Sequence, residues 1–228
     1  MNRGRYGLIL DLDGTLVDSY TAIAAALNHA RAHYDLAPLD QTTVRAAVGH
    51  GLERLIATWV GEDRVEHGVR LFRDRYGQVF ERATRALPGS DAALRCLVTC
   101  GVRLALASNK PARFSRAILA ALGWAPWFVA VEGPDTVGTT KPEPAMLRAC
   151  LAALGTPVRR TRYVGDMLLD VESGRRAGVE VILVRGGSAS DADLLAAGSP
   201  VLDGVAGLPD YLNGLGWTMG RARPPQTR

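Results

Sequence analysis

The sequence predicts an α/β protein with a doubly wound parallel sheet and an all-helical unit inserted after the first strand. Short aliphatic runs alternate with helix-period segments after about residue 88, an order typical of a parallel sheet with helices on both faces. Residues 17–86 instead carry apolar residues at helical spacing only. The 228 residues are 47% hydrophobic, which is ample for a sizeable core.

The predicted sheet has five short strands, with four helices between and after them. The aliphatic runs predict strands at Leu8–Leu12, Arg103–Ala107, Phe128–Glu132, Arg162–Gly165 and Glu180–Val184. The helical periods predict helices at Asp91–Thr99, Arg113–Leu122, Pro144–Leu154 and Val171–Ala177. Each helix ends near a glycine that can form a left-handed cap, namely Gly101, Gly123, Gly155 and Gly178.

Two stretches with a helical period predict the inserted unit. "YTAIAAALNHARAHY" has apolar residues at Ile23, Leu27, Ala30 and Tyr34, and "VEHGVRLFRDRYGQVF" repeats that spacing. The turn-forming "LPGS" then returns the chain to the sheet. We therefore expect a core domain at residues 1–16 and 87–215, a helical cap at 17–86, and a flexible tail at 216–228.

Composition favours a small anionic ligand over a nucleic acid. The net charge is +4 and the pI about 9.2, but the arginines form no dense basic stripe. The three cysteines lack disulfide or metal-site spacing, so we expect reduced core residues. The chain shows no signal peptide and no apolar run near the ~18 residues of a membrane span. We expect a cytoplasmic protein without nucleic-acid or membrane partners, and the oligomeric state stays open.

Aspartates follow two of the predicted strands. Asp11 and Asp13 end the first strand, and Asp166 and Asp170 follow the fourth. Ligands of open α/β sheets bind at the carboxyl ends of the strands. Carboxylates that converge there repel each other unless a cation neutralises them. Because oxygen ligands without nearby histidine or cysteine suit Mg²⁺, we expect a magnesium site.

Two further segments of the chain supply groups that suit a phosphoryl oxygen. Ser108 and Asn109 follow the second strand, and Lys141 stands at a helix start in "TTKPEP". A hydroxyl and a positive charge are useful there, because phosphoryl transfer depends mostly on positioning and charge neutralisation.

Each pattern has a simpler explanation when it is taken alone. Asp13-Gly14 could form a turn, Ser108-Asn109 and Asp170 could cap helices, and Lys141 could be a solvated surface residue. Two other protein classes also fit an aspartate cluster on a parallel sheet: a signalling receiver and a non-catalytic phosphate-binding protein. Receivers, however, are about half this length and need no helical insertion.

Four motifs together resemble the haloacid dehalogenase superfamily in order and spacing: "DLDGTLVDS", "ASNKP", "TTKPEP" and "GDMLLDVESGRRAG". The helical insertion is similar to the cap domain of that superfamily, and "VGHGLERLI" and "LPGSDAALRCL" look most like phosphoglycolate phosphatases. The resemblance implies a Rossmann-like core and Mg²⁺-dependent hydrolysis of a small phosphate monoester, most simply 2-phosphoglycolate. The alternatives within the superfamily are another sugar-phosphate or small-metabolite phosphatase and a phosphomutase.

The resemblance also implies roles for individual residues. Asp11 would be the nucleophile that forms an aspartyl-phosphate, and Asp13 would protonate the leaving oxygen and later activate water. Mg²⁺ would be held by Asp11, the backbone carbonyl of Asp13 and Asp166, with the help of Asp170. Lys141 would neutralise the phosphoryl group and the nucleophile. The substrate contacts would come from Gly14, Thr15, Ser108 and Asn109.

The cap is expected to recognise the leaving group. His50 and Arg54 in "VGHGLERLI" are candidate contacts, because the family's cap loop near this position faces the active site. Arg54 could pair with a substrate carboxylate, but a histidine or arginine on an inserted helical unit is more often a surface group, and a solvated helix face is the alternative for both residues. Gly49 and Gly51 would allow close backbone approach. The chain departs from the family pattern at Met167, where relatives usually carry a small hydroxyl residue.

Overall fold

The fold is a six-stranded parallel sheet with helices on both faces, in a computed structural model that describes residues 6–217. Its strand order is β5-β4-β1-β6-β7-β8, so the first strand lies at the centre. These strands are β1 (Gly7–Leu10), β4 (Arg103–Ala107), β5 (Phe128–Glu132), β6 (Thr161–Gly165), β7 (Glu180–Val184) and β8 (Val201–Leu202). The predicted doubly wound fold class is confirmed.

The helices of the core flank this sheet. They are α5 (Ser90–Thr99), α6 (Ala112–Ala121), α7 (Pro134–Val137), α8 (Ala145–Leu154), α9 (Leu168–Ala177), α10 (Asp191–Ala196) and α11 (Leu208–Gly214). All five predicted strands and four predicted helices are present, with ends shifted by at most three residues. The four predicted cap glycines all have positive φ, between 60° and 82°. Prediction missed β8, α7, α10 and α11, which are short and lack a clear period.

Successive residues of β1 supply the two hydrophobic layers. Leu8 and Leu10 pack on one face of the sheet, in a cluster that includes residues of α5, α6 and α11. Ile9 packs on the other face, against α8 and α10. This alternation explains the uninterrupted aliphatic run, because a parallel strand between two helical layers is buried on both faces. The carboxyl ends of the central strands are thereby held in one rigid row.

The helical insertion follows β1 directly. It consists of α1 (Tyr20–Ala32), α2 (Gln41–Ala47), α3 (Leu52–Trp59) and α4 (Val65–Ala83). The segments that enter and leave it pair as a two-stranded antiparallel ribbon of β2 (Val17–Asp18) and β3 (Arg85–Ala86). The apolar positions anticipated for both stretches face inward, Leu27 on α1 and Phe72 on α4 among them. The residue range 17–86 for the cap stays a prediction, and we use the name cap for that range.

Other sequence expectations have mixed outcomes. Cys150 is buried and donates to the Leu106 carbonyl, whereas Cys96 is exposed on the outer face of α5, so the expectation of core cysteines is wrong there. The tail predicted at 216–228 lies outside the described residues apart from Gly216 and Trp217. Trp217 is buried and stacks on Tyr6 with ring centroids 4.4 Å apart. Within residues 6–217, no helix combines the length and apolar character needed to cross a bilayer.

Candidate active site

Three buried carboxylates meet at the carboxyl edge of the sheet. Asp11 follows β1, Asp166 follows β6, and Asp170 lies in the first turn of α9. One oxygen from each lies within 4.8 Å of the others. The structure therefore brings together three of the four aspartates predicted from the sequence.

Asp170 both caps a helix and anchors the site. Its Oδ2 accepts backbone N–H bonds from Asp166 at 3.1 Å and Met167 at 3.0 Å, at the start of α9. Its Oδ1 accepts from Lys141 Nζ at 2.8 Å and from the Tyr163 hydroxyl at 2.6 Å. Burial and then Asp170 raise the pKa of Tyr163 well above its ordinary value, so the phenol stays a donor. The simpler interpretation of Asp170 as a helix cap is confirmed, and its role at a metal site stays a prediction.

Lys141 lies between two carboxylates rather than on the surface. Its Nζ is 3.1 Å from Asp11 Oδ1 and 2.8 Å from Asp170 Oδ1. Burial opposes its positive charge, but Asp11 and Asp170 outweigh burial and raise the pKa of Lys141. The ammonium group is therefore held permanently charged beside Asp11.

The cluster carries more negative charge than its lysine can neutralise. Three carboxylates and one ammonium group leave a formal charge of −2. Burial first, and then the neighbouring carboxylates, raise the pKa of Asp11 to about 6 and that of Asp166 well above its ordinary value. Asp11 Oδ1 is buried, and Lys141 Nζ at 3.1 Å is its ion-pair partner. An all-oxygen set with this excess charge fits a hard divalent cation such as Mg²⁺.

Asp166 is held from two sides. Thr15 Oγ1 donates to its Oδ1 at 3.0 Å, and the backbone N–H of Ser188 donates to its Oδ2 at 2.8 Å. Gly14 has φ +82°, and a Cβ there would stand 2.6 Å from Asp166 Oδ2 and 2.5 Å from the Tyr20 hydroxyl. Only glycine fits this position, which accounts for the glycine after Asp13.

Asp13 is not a member of the cluster of three carboxylates. Its Oδ2 is 2.9 Å from Lys110 Nζ, and its Oδ1 accepts from Ser19 Oγ at 2.5 Å. Lys110 also donates to the Tyr76 hydroxyl of the cap at 2.8 Å. Burial opposes the charge of Lys110, but Asp13 and Tyr76 outweigh it and raise the pKa of Lys110. The proposed metal contact through the Asp13 backbone carbonyl stays a prediction.

Ser108 and Asn109 shape the loop after β4. Ser108 is buried, and its Oγ accepts from the backbone N–H of Lys110 at 3.3 Å. Asn109 Oδ1 accepts from the backbone N–H of Lys141 at 2.7 Å, and its Nδ2 donates to the Gly49 carbonyl at 2.8 Å. Neither caps α6, because Asp135 receives that helix's first N–H groups.

A small cavity of about 90 Å³ opens beside Asp11, between the core and the cap. Its polar core lining is Asp11, Asp13, Ser108, Asn109, Lys110, Lys141 and Ser188. Its cap lining is Ile23, Val48, Gly49, Gly51, Leu52, Leu55, Phe72, Arg73 and Tyr76. We call this space the active-site cavity.

The structure places four predicted substrate contacts away from this cavity. Gly14 and Thr15 do not line it and instead support Asp166. His50 and Arg54 are exposed and line a separate surface groove on α2 and α3. The reason lies in the orientation of α3, whose apolar face, with Leu55, turns toward the cavity and leaves Arg54 on another face.

The cap loop also touches the core at Met167. This residue lines the active-site cavity, and a Cβ at Gly49 would stand 2.2 Å from Met167 Sδ. Gly49 has φ +126°, which side chains rarely adopt. The methionine that departs from the family pattern thus packs against the glycine of the cap loop.

Sequence reasoning missed Lys110, Tyr163, Ser188, Tyr76 and Arg73 as site residues. One signal could have revealed the first of them. Of the 27 lysine and arginine residues, only Lys110 and Lys141 are lysines, and both pair with buried aspartates. Because lysine is so rare in this chain, a lysine in the loop that follows β4 is a signal of a functional role.

The fold and the site define a hydrolase-type α/β protein with an aspartate centre at the edge of its sheet. The chain belongs to the haloacid dehalogenase-like hydrolase family, whose model matches residues 8–184.

Curated relatives and solved structures agree with that assignment. A phosphoglycolate phosphatase of Rhodospirillum rubrum is 36% identical over 90% of both chains. An N-acetylmuramic acid 6-phosphate phosphatase of Pseudomonas aeruginosa is 33% identical over 82% of this chain and 85% of the relative. In fold, the chain is similar to a HAD family hydrolase of Deinococcus radiodurans solved with bound phosphate and sodium, with TM-score 0.73 and 23% identity over 98% of this chain and all of the other.

Replacing Asp11 by Asn tests the nucleophile without removing its shape. We expect turnover to fall more than about 100-fold, because the family resemblance implies that Asp11 forms the covalent intermediate. The melting temperature of metal-free protein should not fall, since burial and nearby carboxylates already disfavour the charge of Asp11. Steady-state kinetics and thermal unfolding measure both effects. Residual activity above about one part in a hundred would contradict the role of Asp11.

Replacing Lys110 by Met tests whether this lysine supports Asp13. We expect kcat to fall about 10- to 100-fold with a smaller change in KM, because Asp13 loses its buried partner. The matched variant Tyr76→Phe removes only the hydroxyl that contacts Lys110 and should change kcat less than about threefold. Equal losses in the two variants would show that Lys110 merely joins the cap to the core.

Proposed function

We propose that this protein is a Mg²⁺-dependent phosphatase that hydrolyses 2-phosphoglycolate or a closely similar small phosphate monoester. One observation carries the proposal. Asp11 beside Lys141, and Asp13 beside Lys110, face the same small cavity beneath the cap. Membership of the hydrolase family and the phosphoglycolate phosphatases among the curated relatives support the same activity.

In the proposed first half-reaction, a carboxylate oxygen of Asp11 attacks phosphorus and the ester P–O bond breaks. A proton from the Asp13 carboxyl group passes to the leaving oxygen, so the leaving group departs as a neutral alcohol. Lys110 then stabilises the carboxylate formed at Asp13 through the ion pair at 2.9 Å. Lys141, 3.1 Å from Asp11, offsets the charge on the phosphoryl oxygens.

In the second half-reaction, Asp13 takes a proton from water, and the resulting hydroxide attacks phosphorus. The bond between phosphorus and Asp11 breaks, which releases phosphate and restores the Asp11 carboxylate. Asp11 and Asp166 would hold Mg²⁺, which when bound neutralises phosphoryl charge. Asp170 already uses both oxygens in hydrogen bonds, so its main work in this proposal is to orient Lys141 and the start of α9.

The curated relatives favour a small leaving group. Several of them are named phosphoglycolate phosphatases, and a cap over the site limits the room for the leaving group. A sugar phosphate remains the alternative, because one curated relative is named for N-acetylmuramic acid 6-phosphate.

A cytoplasmic location belongs to the same proposal, since the free thiols of Cys96, Cys100 and Cys150 suit a reducing compartment.

A substrate panel with purified protein tests the proposed substrate. We expect kcat/KM for 2-phosphoglycolate to exceed those for N-acetylmuramic acid 6-phosphate, glucose 6-phosphate and p-nitrophenyl phosphate. Phosphate release measures each value at saturating Mg²⁺. A sugar phosphate at the top of the panel would overturn the substrate while leaving a phosphatase. Turnover of none of the esters would overturn the activity itself.

Metal dependence has a thermal readout as well as a kinetic one. A chelator should abolish turnover and Mg²⁺ should restore it, whereas Ca²⁺ should bind without supporting turnover because it is larger and less strictly octahedral. Mg²⁺ at about 100 times its Kd should stabilise the wild type by about 2.7 kcal/mol. Asp166→Asn should lose this shift, and Asp74→Asn, an exposed aspartate of α4, should keep it. Full activity in excess chelator would contradict the metal assignment.

A further inference from the structure

Arg73 is the one charged side chain that the cap places on the active-site cavity, among residues 6–217. The other cap residues that line the cavity are apolar or glycine, except for Tyr76. The Tyr76 hydroxyl accepts from Lys110 at 2.8 Å and carries no charge. Arg73 is therefore the side chain of the cap that brings positive charge to the cavity.

The guanidinium group of Arg73 is incompletely paired. Its Nε is buried and has no hydrogen-bond partner within the described part of the chain. Its Nη2 lies 3.3 Å from Glu53 Oε1, but the Glu53 side chain is 61% exposed, so solvent screens this pair. A buried donor without a partner is unfavourable in the free protein. A ligand acceptor would remove that penalty.

The other two cations of the cavity are committed to aspartates. Lys141 is paired with Asp11 and Asp170, and Lys110 with Asp13. An anionic group on the substrate other than the phosphoryl group must therefore find its positive partner at Arg73. Arg73 also lies on the same helix as Tyr76, three residues earlier, and Tyr76 contacts the lysine that holds Asp13. That helix thus carries both the arginine of the cavity and the contact to the lysine beside Asp13.

We propose that Arg73 binds a carboxylate on the leaving group and so determines the preference of this enzyme for carboxylated phosphate esters. The proposal rests on the proposed phosphatase function and replaces Arg54, which the structure places outside the cavity. Arginine suits the task because its planar fork can donate two parallel hydrogen bonds to a carboxylate. Nε and Nη2 form such a fork: Nε has no partner within the described residues, and Nη2 is paired only with the exposed Glu53.

Two esters that differ only in the carboxylate test the proposal. In 2-hydroxyethyl phosphate, a hydroxymethyl group replaces the carboxylate of 2-phosphoglycolate. Arg73→Gln should raise KM for 2-phosphoglycolate about 10- to 100-fold, the loss expected for a hydrogen-bonded charged group. The same variant should change kcat/KM for 2-hydroxyethyl phosphate less than about threefold. Arg73→Lys keeps the charge without the fork and should show an intermediate KM.

Matched controls separate the cavity arginine from surface arginines. Arg70 lies on the same helix but is exposed and pairs with Glu66, and Arg54 lines the outer groove. Arg70→Gln and Arg54→Gln should leave KM for both esters unchanged. Equal effects of Arg73→Gln on both esters, or the selective loss appearing in Arg54→Gln instead, would overturn the proposal.

A product inhibitor keeps this test independent of the physiological substrate. Glycolate carries the carboxylate without phosphate, and ethylene glycol is its uncharged counterpart. With p-nitrophenyl phosphate as the reporter ester, glycolate should inhibit the wild type, ethylene glycol should not, and Arg73→Gln should raise the glycolate inhibition constant about tenfold or more. Failure to hydrolyse 2-phosphoglycolate, with Arg73-dependent glycolate inhibition intact, would overturn the proposed substrate alone. Inhibition that ignores Arg73 would overturn the present inference.

Discussion

Excess negative charge buried at the centre of the sheet edge is the constraint on which the rest of the site depends. Asp11, Asp166 and Asp170 come within 4.8 Å of each other, with Lys141 as their only close cation among the described residues. Buried charges of this kind persist only when hydrogen bonds and counter-charges surround them. The fold supplies these from the start of α9, from Tyr163 on β6 and from the loop after β7. The charge that remains suits a divalent cation.

The two lysines and the one arginine that line the cavity differ in their chemistry. A lysine ends in a compact ammonium group that fits between carboxylates in a tight interior, as Lys141 does. An arginine carries a broad planar fork that suits recognition of a ligand carboxylate. The core holds Lys110 and Lys141, while the cap contributes Arg73. The two lysines of the cavity thus lie in loops of the core, and its arginine lies on the insertion.

Contacts across the cavity tie the cap to the groups on the sheet. Tyr76 meets Lys110, and the Gly49 carbonyl accepts from Asn109, which also holds the backbone of Lys141. Met167 packs against Gly49 from the core side. Because the same loops carry the charged groups and the cap contacts, the position of the cap is coupled to the geometry around Asp13. A cap inserted directly after the first strand can therefore both exclude water and support the chemistry.

Local patterns in the sequence determined the sheet, its main helices and the aspartates at its edge. A strand buried on both faces produces a continuous apolar run, and a helix with one apolar face produces a regular spacing of apolar residues, so a short stretch of sequence is enough to recognise either. Those patterns also predicted that Asp11 and Asp166 meet, since the carboxyl ends of parallel strands share one edge. Only the tertiary structure decided that Lys110 holds Asp13, and that Arg73, not Arg54, reaches the cavity. These outcomes depend on how the helices are oriented against the sheet. That orientation is set by packing between residues far apart in the chain, so no short stretch of sequence predicts it.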